Sequence, residues 1–242
     1  MSKPSVCLLY VFNETELPLL RLSLEVMLKH PWVSTAVGLE TTGAPVDLPG
    51  ISITSADYGR GAAVAPELGG FRQVHARNRA LALAEAQRCD WLLLCDADEF
   101  FTEDAWGPLQ QAHETGATSC WYDCYHFCKH DEYHWDPQDL HQVMPYERQL
   151  AVDPHPRGLR ASENYRFEFN RNLAADQGDN PHRHCVVNCD MFRIRVVAGL
   201  CHVHVKHWLK APPQDKPRKA APVGIMPAPY LAYAARVDLL NV

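Results

Sequence analysis

The sequence predicts an α/β fold: a mostly parallel central sheet flanked by helices, followed by a more irregular second half. Three observations predict it. Ser5 to Phe12 and Trp91 to Cys95 are continuous apolar runs of strand length, the pattern of strands buried on both faces. Between them stand apolar residues at helical spacing, Leu20, Leu24 and Leu28 and then Ala76, Ala80, Leu83 and Ala84. The second run then ends in three carboxylates, Asp96, Asp98 and Glu99, at the edge where open α/β sheets bind ligands.

The elements follow in order. The first strand gives way to Asn13-Glu14-Thr15-Glu16, and Leu17-Pro18 opens a helix that stops near His30-Pro31. Val33 to Leu39 reads as a second strand, and Glu40 to Gly50, rich in Gly, Pro and Thr, as a loop. Ile51 to Thr54 is a short strand, with a loop to about Gly70. Arg72 to Arg88 is alanine-rich and helical, and the strand that ends at the aspartates comes next. The order strand, helix, strand, strand, helix, strand implies parallel strands joined by right-handed crossovers. No linker divides the chain, so residues 1–242 are expected to form one domain, with a ligand-binding half at 1–101 and a second half at 102–242.

Composition narrows the class. With 47% hydrophobic and 21% charged residues the chain is an ordinary globular protein. No apolar run is long enough to cross a bilayer, and Met1-Ser2-Lys3-Pro4-Ser5 is not a secretion signal, so a cytoplasmic location is expected. The net charge of −6 leaves no electrostatic footprint for nucleic acid. Nine cysteines, an odd number, read as free thiols. Cys120, Cys124 and Cys128 have the wrong spacing for a metal cluster and fit one face of a strand, where cysteine packs as a small apolar residue. His182, His184, Cys185 and Cys189 offer a rival zinc reading, but are too tightly spaced for a structural site.

Two aspartates one residue apart at a sheet rim suit a hard divalent cation with part of its shell left open. The alternative is a polar strand end before a helix that starts near Glu103 and Asp104.

Asn13-Glu14 after the first strand, Ala76-Arg77-Asn78-Arg79-Ala80-Leu81 in a helix, and Asp90 to Phe100 ending in Asp96-Ala97-Asp98-Glu99-Phe100 together resemble a GT-A glycosyltransferase. The similarity is to the family-2-like group whose metal motif reads D-x-D-E-F. It covers about residues 5 to 101 well and the rest loosely. The resemblance implies a GT-A, Rossmann-like sheet with an acceptor-binding second half. It also implies a nucleotide-sugar donor, a UDP-sugar first, a manganese or magnesium ion, and transfer to an acceptor hydroxyl or amine. Asp96 and Asp98 would hold the ion, and Ala97 would keep the turn narrow beside ribose and phosphate. Glu99 would anchor the loop. Arg77 would contact the nucleotide or brace the first aspartate, with a surface helix residue as the alternative. Phe12, Asn13 and Glu14 lie where the family places base and ribose. Asp57 falls in the region that binds the base ring, or else forms a turn before Tyr58-Gly59.

In Gly199 to Trp208, a strand would put His202 and His204 on one face. The resemblance implies His204 as a third metal ligand and Lys206 as a phosphate contact. An inverting transferase also needs a carboxylate base, which a retaining one does not. Asp123, Asp131, Glu132, Glu147, Glu163, Glu168 and Asp190 are the candidates, and the resemblance favours Asp190 by its distance after the metal motif. Lys210 to Lys219, basic and proline-rich, reads as an exposed linker to a final helix, Tyr230 to Leu240, with a flap over the diphosphate as the alternative. Three other functions stay open. A nucleotidyltransferase would carry a glycine-rich basic loop where Asn13-Glu14 stands. A silent sugar- or nucleotide-binding module and a transferase acting on DNA bases are the others.

Overall fold

β1 (Val6–Phe12) is the strand around which the sheet is built, and its side chains alternate between two cores. Val6, Leu8, Tyr10 and Phe12 enter one cluster; Cys7 and Leu9 enter the other. That is the two-sided burial expected of a strand covered by helices on both faces. The computed structural model describes residues 3–59, 64–65, 70–128, 132–134, 153–169, 185–187 and 195–204. Asp190, Lys206, the basic tail, the final helix, His182, His184 and Cys189 lie outside the described residues.

α1 (Leu17–Met27) follows a 3₁₀ turn at Glu14–Glu16, with Pro18 in its first turn where a missing N–H costs nothing. β2 (Val33–Glu40) and β3 (Ser52–Ser55) come next, then two-residue strands β4 (Val64–Ala65) and β5 (Gly70–Phe71). α2 (Arg72–Glu85) ends three residues earlier than its alanine-rich pattern suggests: Gln87 and Arg88 donate to Ala84 and Glu85 in tighter turns, and the backbone then turns left-handed at Arg88 (φ 56°). β6 (Trp91–Asp96), β7 (Glu99–Phe101), α3 (Trp106–Glu114) and β8 (Ser119–Cys128) complete the first half and begin the second. β9 (Glu132–His134), β10 (Asp153–Arg160), β11 (Phe167–Phe169), β12 (Cys185–Val187) and β13 (Arg195–His204) follow.

The main sheet runs β3-β2-β1-β6-β10-β8-β13-β7, with β9 beside β8. Its first four strands are all parallel, as the order of elements predicts. α1 and α3 contribute to one core cluster and α2 to the other, so helices flank both faces of the sheet. Among the described residues no helix is long and apolar enough to cross a membrane.

β10 is the unexpected strand. It lies antiparallel between β6 and β8 although it contains Pro154 and Pro156, which cannot donate to a ladder. The register explains the exception. Only Gly158, Leu159 and Arg160 pair with β6, while the prolines pair with β8 alone, so they sit on a locally open edge. Arg157 falls at a register shift between Pro156 and Gly158, where two residues of β10 advance against one of β8. Gly158 is required there, because a Cβ would come within 2.9 Å of the Cys120 Cβ.

Candidate functional site

Parallel strands end on one edge, and here that edge collects acids. Glu40 closes β2 opposite Phe12, and Asp96 closes β6 opposite Val11. The chain leaves β1 toward β2 on one side and returns at β6 on the other. The β1–β6 junction is therefore a topological switch point, where such sheets open a ligand crevice.

Asp96 has the parity of Leu92 and Leu94, which face the α2 side of the sheet, and so it meets a helix side chain from there. Arg77 Nη2 lies 3.1 Å from Asp96 Oδ1, and Arg157 Nη2 lies 3.2 Å from Asp96 Oδ2. The same Arg157 nitrogen is 2.5 Å from Glu99 Oε1, while Glu99 Oε2 accepts the Asp96 N–H at 3.0 Å. Arg157 and Glu99 are both buried. Removing one partner of such a pair strands a buried charge, which typically costs about 3–5 kcal/mol. The turn is also tied from below: Ser23 of α1 donates to the Glu99 carbonyl at 2.7 Å and meets the Tyr10 hydroxyl at 2.9 Å. The turn joining Asp96 to Glu99 is thus braced by α1, α2 and β10, with Ala97 buried and Asp98 half-buried between them. Arg77 is not a loose surface residue. It spans from Asp96 to the Phe167 ring, 5.4 Å from its centroid.

The residues expected at the base and ribose divide. Phe12 is core, at 1% exposure, and a Cβ on Gly38 would come within 2.9 Å of its ring, so that ring is not available to stack on a base. Asn13 caps the turn that follows: its Oδ1 accepts from the Thr15 N–H at 2.9 Å, and Glu16 Oε2 accepts from the Asn13 N–H at 2.9 Å, a reciprocal capping box. Glu14 Oε2 is 2.7 Å from the Thr42 hydroxyl and remains at the rim. Asp57 Oδ1 accepts the Gly59 N–H at 2.9 Å, a turn-forming role. The β13–β7 register sets His204 across from Glu99, and thus beside the turn that carries Asp98.

Three residues of this edge were not singled out from sequence. Glu40 is fully buried; its Oε1 accepts from the Thr42 N–H at 2.8 Å and lies 2.6 Å from the Thr42 hydroxyl, while its Oε2 has no hydrogen-bond partner among the described residues. Its signal was present, since Val37-Gly38-Leu39-Glu40 is another apolar run ending in an acid. Asn78 binds both backbone groups of Phe167, accepting its N–H at 2.7 Å and donating to its carbonyl at 2.9 Å. Arg157 is the third, hidden among prolines.

The thiols nearby are not donors. Burial pushes the Cys95 thiol, one residue before Asp96, well above its ordinary range, and the Glu99 carboxylate adds to this. Burial likewise raises Cys7 and Cys120 to about 12. A buried thiol that stays protonated is neither nucleophile nor ligand. What the turn does offer is carboxylate oxygen with a histidine position alongside, a donor set suited to manganese or magnesium. Among the described residues no three His, Cys, Asp or Glu side chains converge on one point.

A sequence profile described as Glycosyl transferase family 2 matches residues 67–196, a span that takes in α2, the aspartate turn, β8 and β10. No curated protein matches the chain. Among solved structures, S. aureus TarS 1–349 is similar with a TM-score of 0.47 at 10% identity, over 83% of this chain and 60% of that one. A second S. aureus TarS structure gives 0.44 at 11% identity, over 83% and 36%. The structure of 4-diphosphocytidyl-2C-methyl-D-erythritol synthase gives 0.40 at 14% identity, over 66% and 77%. The chain therefore spans less than two thirds of the TarS structures it matches.

Proposed function

Because the chain belongs to glycosyl transferase family 2, we propose that it moves a sugar from a nucleotide-sugar donor, a UDP-sugar first, to an acceptor hydroxyl or amine in a divalent-ion-dependent reaction. The observation that carries this reading is the braced turn with Asp96 and Asp98 at the β1–β6 switch point. A nucleoside diphosphate laid across this edge would run from Glu40 toward Asp98. Glu40 Oε2, buried and still able to accept a hydrogen bond, is the acceptor for an N–H of the base. Glu14, whose carboxylate lies 2.7 Å from the Thr42 hydroxyl at the rim, would contact the ribose.

Asp98, with Asp96 and His204, would hold the ion, and the remaining ligands would be donor phosphate oxygens and water. When bound, the ion supplies Lewis-acid stabilisation of the negative charge that grows on the leaving diphosphate. The chain does the rest. Arg77 and Arg157 hold the first carboxylate still, and Lys206 neutralises phosphate charge. Asp190 takes the acceptor proton as the nucleophile attacks. In this reading residues 1–101 bind the donor and residues 102–242 bring the acceptor.

Calorimetric titration of UDP, GDP and dTDP, with and without manganese, tests it in wild type and Asp98→Ala. One nucleotide is expected to bind only with the metal, with affinity at least tenfold lower in Asp98→Ala. If no nucleotide binds under any metal condition, the transferase site is lost and the turn is only a polar strand end.

A further inference from the structure

Resting on the transferase reading of the same edge, we propose that Arg157 is a positioning residue for divalent-ion binding, acting through Glu99 and Asp96 rather than on substrate. β10 leaves its pairing with β6 at Gly158, and the register shift against β8 falls on Arg157 itself. A bulge at this point re-aims one side chain, and bulges are enriched beside active sites for that reason. Here the re-aimed side chain is a buried guanidinium. Its Nη2 bridges Asp96 Oδ2 at 3.2 Å and Glu99 Oε1 at 2.5 Å. Glu99 in turn holds the Asp96 N–H at 3.0 Å. Arg157, Glu99 and the Asp96 backbone close a ring of contacts around the turn that presents Asp98. One strand from the second half thereby sets the geometry of a carboxylate pair in the first. Arg77 balances the other Asp96 oxygen from α2, so Asp96 is fixed from two elements and leaves Asp98 as the acid whose position the ring controls.

The test is manganese titration followed by electron paramagnetic resonance, with manganese alone and with saturating UDP, or GDP or dTDP if wild type binds one of those instead. Arg157→Gln is expected to weaken nucleotide-dependent manganese binding at least tenfold. Arg157→Lys, which keeps a positive charge able to reach toward both acids, is expected to recover part of that loss. In the double variant with Glu99→Gln the two losses are expected to be far from additive, since both substitutions open the same ring. A merely structural arginine would lower the melting temperature and leave the ion affinity of the folded protein unchanged. Wild-type affinity in folded Arg157→Gln, a loss that Arg157→Lys does not reduce, or additive losses overturn the proposal. Should Arg157→Gln not fold, Glu99→Gln alone decides, with a loss of at least fivefold expected and wild-type affinity overturning it. Failure of wild type to bind any nucleotide with manganese is a different result, and it removes the transferase reading itself.

Discussion

Glu40 and Asp96 close the two strands that flank β1, yet their surroundings are opposite. Asp96 is partly exposed and has a guanidinium on each oxygen. Glu40 is fully buried and takes its hydrogen bonds from Thr42. A buried acceptor without a partner costs free energy until a ligand donates to it. Glu40→Gln should therefore lower nucleotide affinity by roughly tenfold, the scale of one charge-assisted hydrogen bond, and leave the melting temperature equal or higher. Calorimetry beside thermal unfolding checks this, and unchanged affinity would place the base elsewhere. Asn13 and Asp57 each carry a local structural role: Asn-x-x-Glu and Asp-x-Gly are the signatures of a capping box and an Asx-turn. Both residues are used that way here.

At the scale of elements, α2 is a bracket as well as a cover. Asn78 offers Phe167 the two hydrogen bonds that a neighbouring strand would give, and so docks β11 against the helix that carries Arg77. Asn78→Ala should cost about 1–3 kcal/mol in urea unfolding. It should also speed amide exchange at Phe167, and unchanged exchange there would show that β11 is held by other means. The parallel block and the aspartate turn were legible because their signals are local: an apolar run, a helical period, an acid at the end. Arg157 and Asn78 were not, because their roles exist only through partners far away in sequence. For β10 the local signal pointed the wrong way. Two prolines argue against an interior strand, and only the partial pairing with β6 makes them tolerable.

For the molecule as a whole, the N-terminal ends of β1 and β6 are sewn together by one carboxylate. Asp90 Oδ2 accepts both the Ser5 N–H and its hydroxyl at 2.8 Å, and the Asp90 carbonyl takes the Ala161 N–H beyond β10. Burial alone would raise the Asp90 carboxyl, but the Ser5 hydrogen bonds, with His113 and Arg160 nearby, outweigh it and hold the group below its ordinary value. A carboxyl lowered on folding adds stability that is full above the unfolded value, near 3.8, and drains away as pH falls through the folded one. Asp90→Asn should thus melt lower than wild type at neutral pH, with the gap closing in strong acid. An equal gap at both ends of the range would deny the linkage.

The place of β10 in the sheet also bears on how the protein is made. Trp91 to Leu93 leave the ribosome after their β1 partner on one edge, while the other edge waits for Gly158 to Arg160, some sixty-odd residues behind. At ordinary synthesis rates of about 5–20 residues per second, that greasy edge stays open for several seconds in every nascent chain. The interval invites pairing with a neighbouring polysome product, and it makes early chaperone contact most valuable while residues 96 to 158 are being translated.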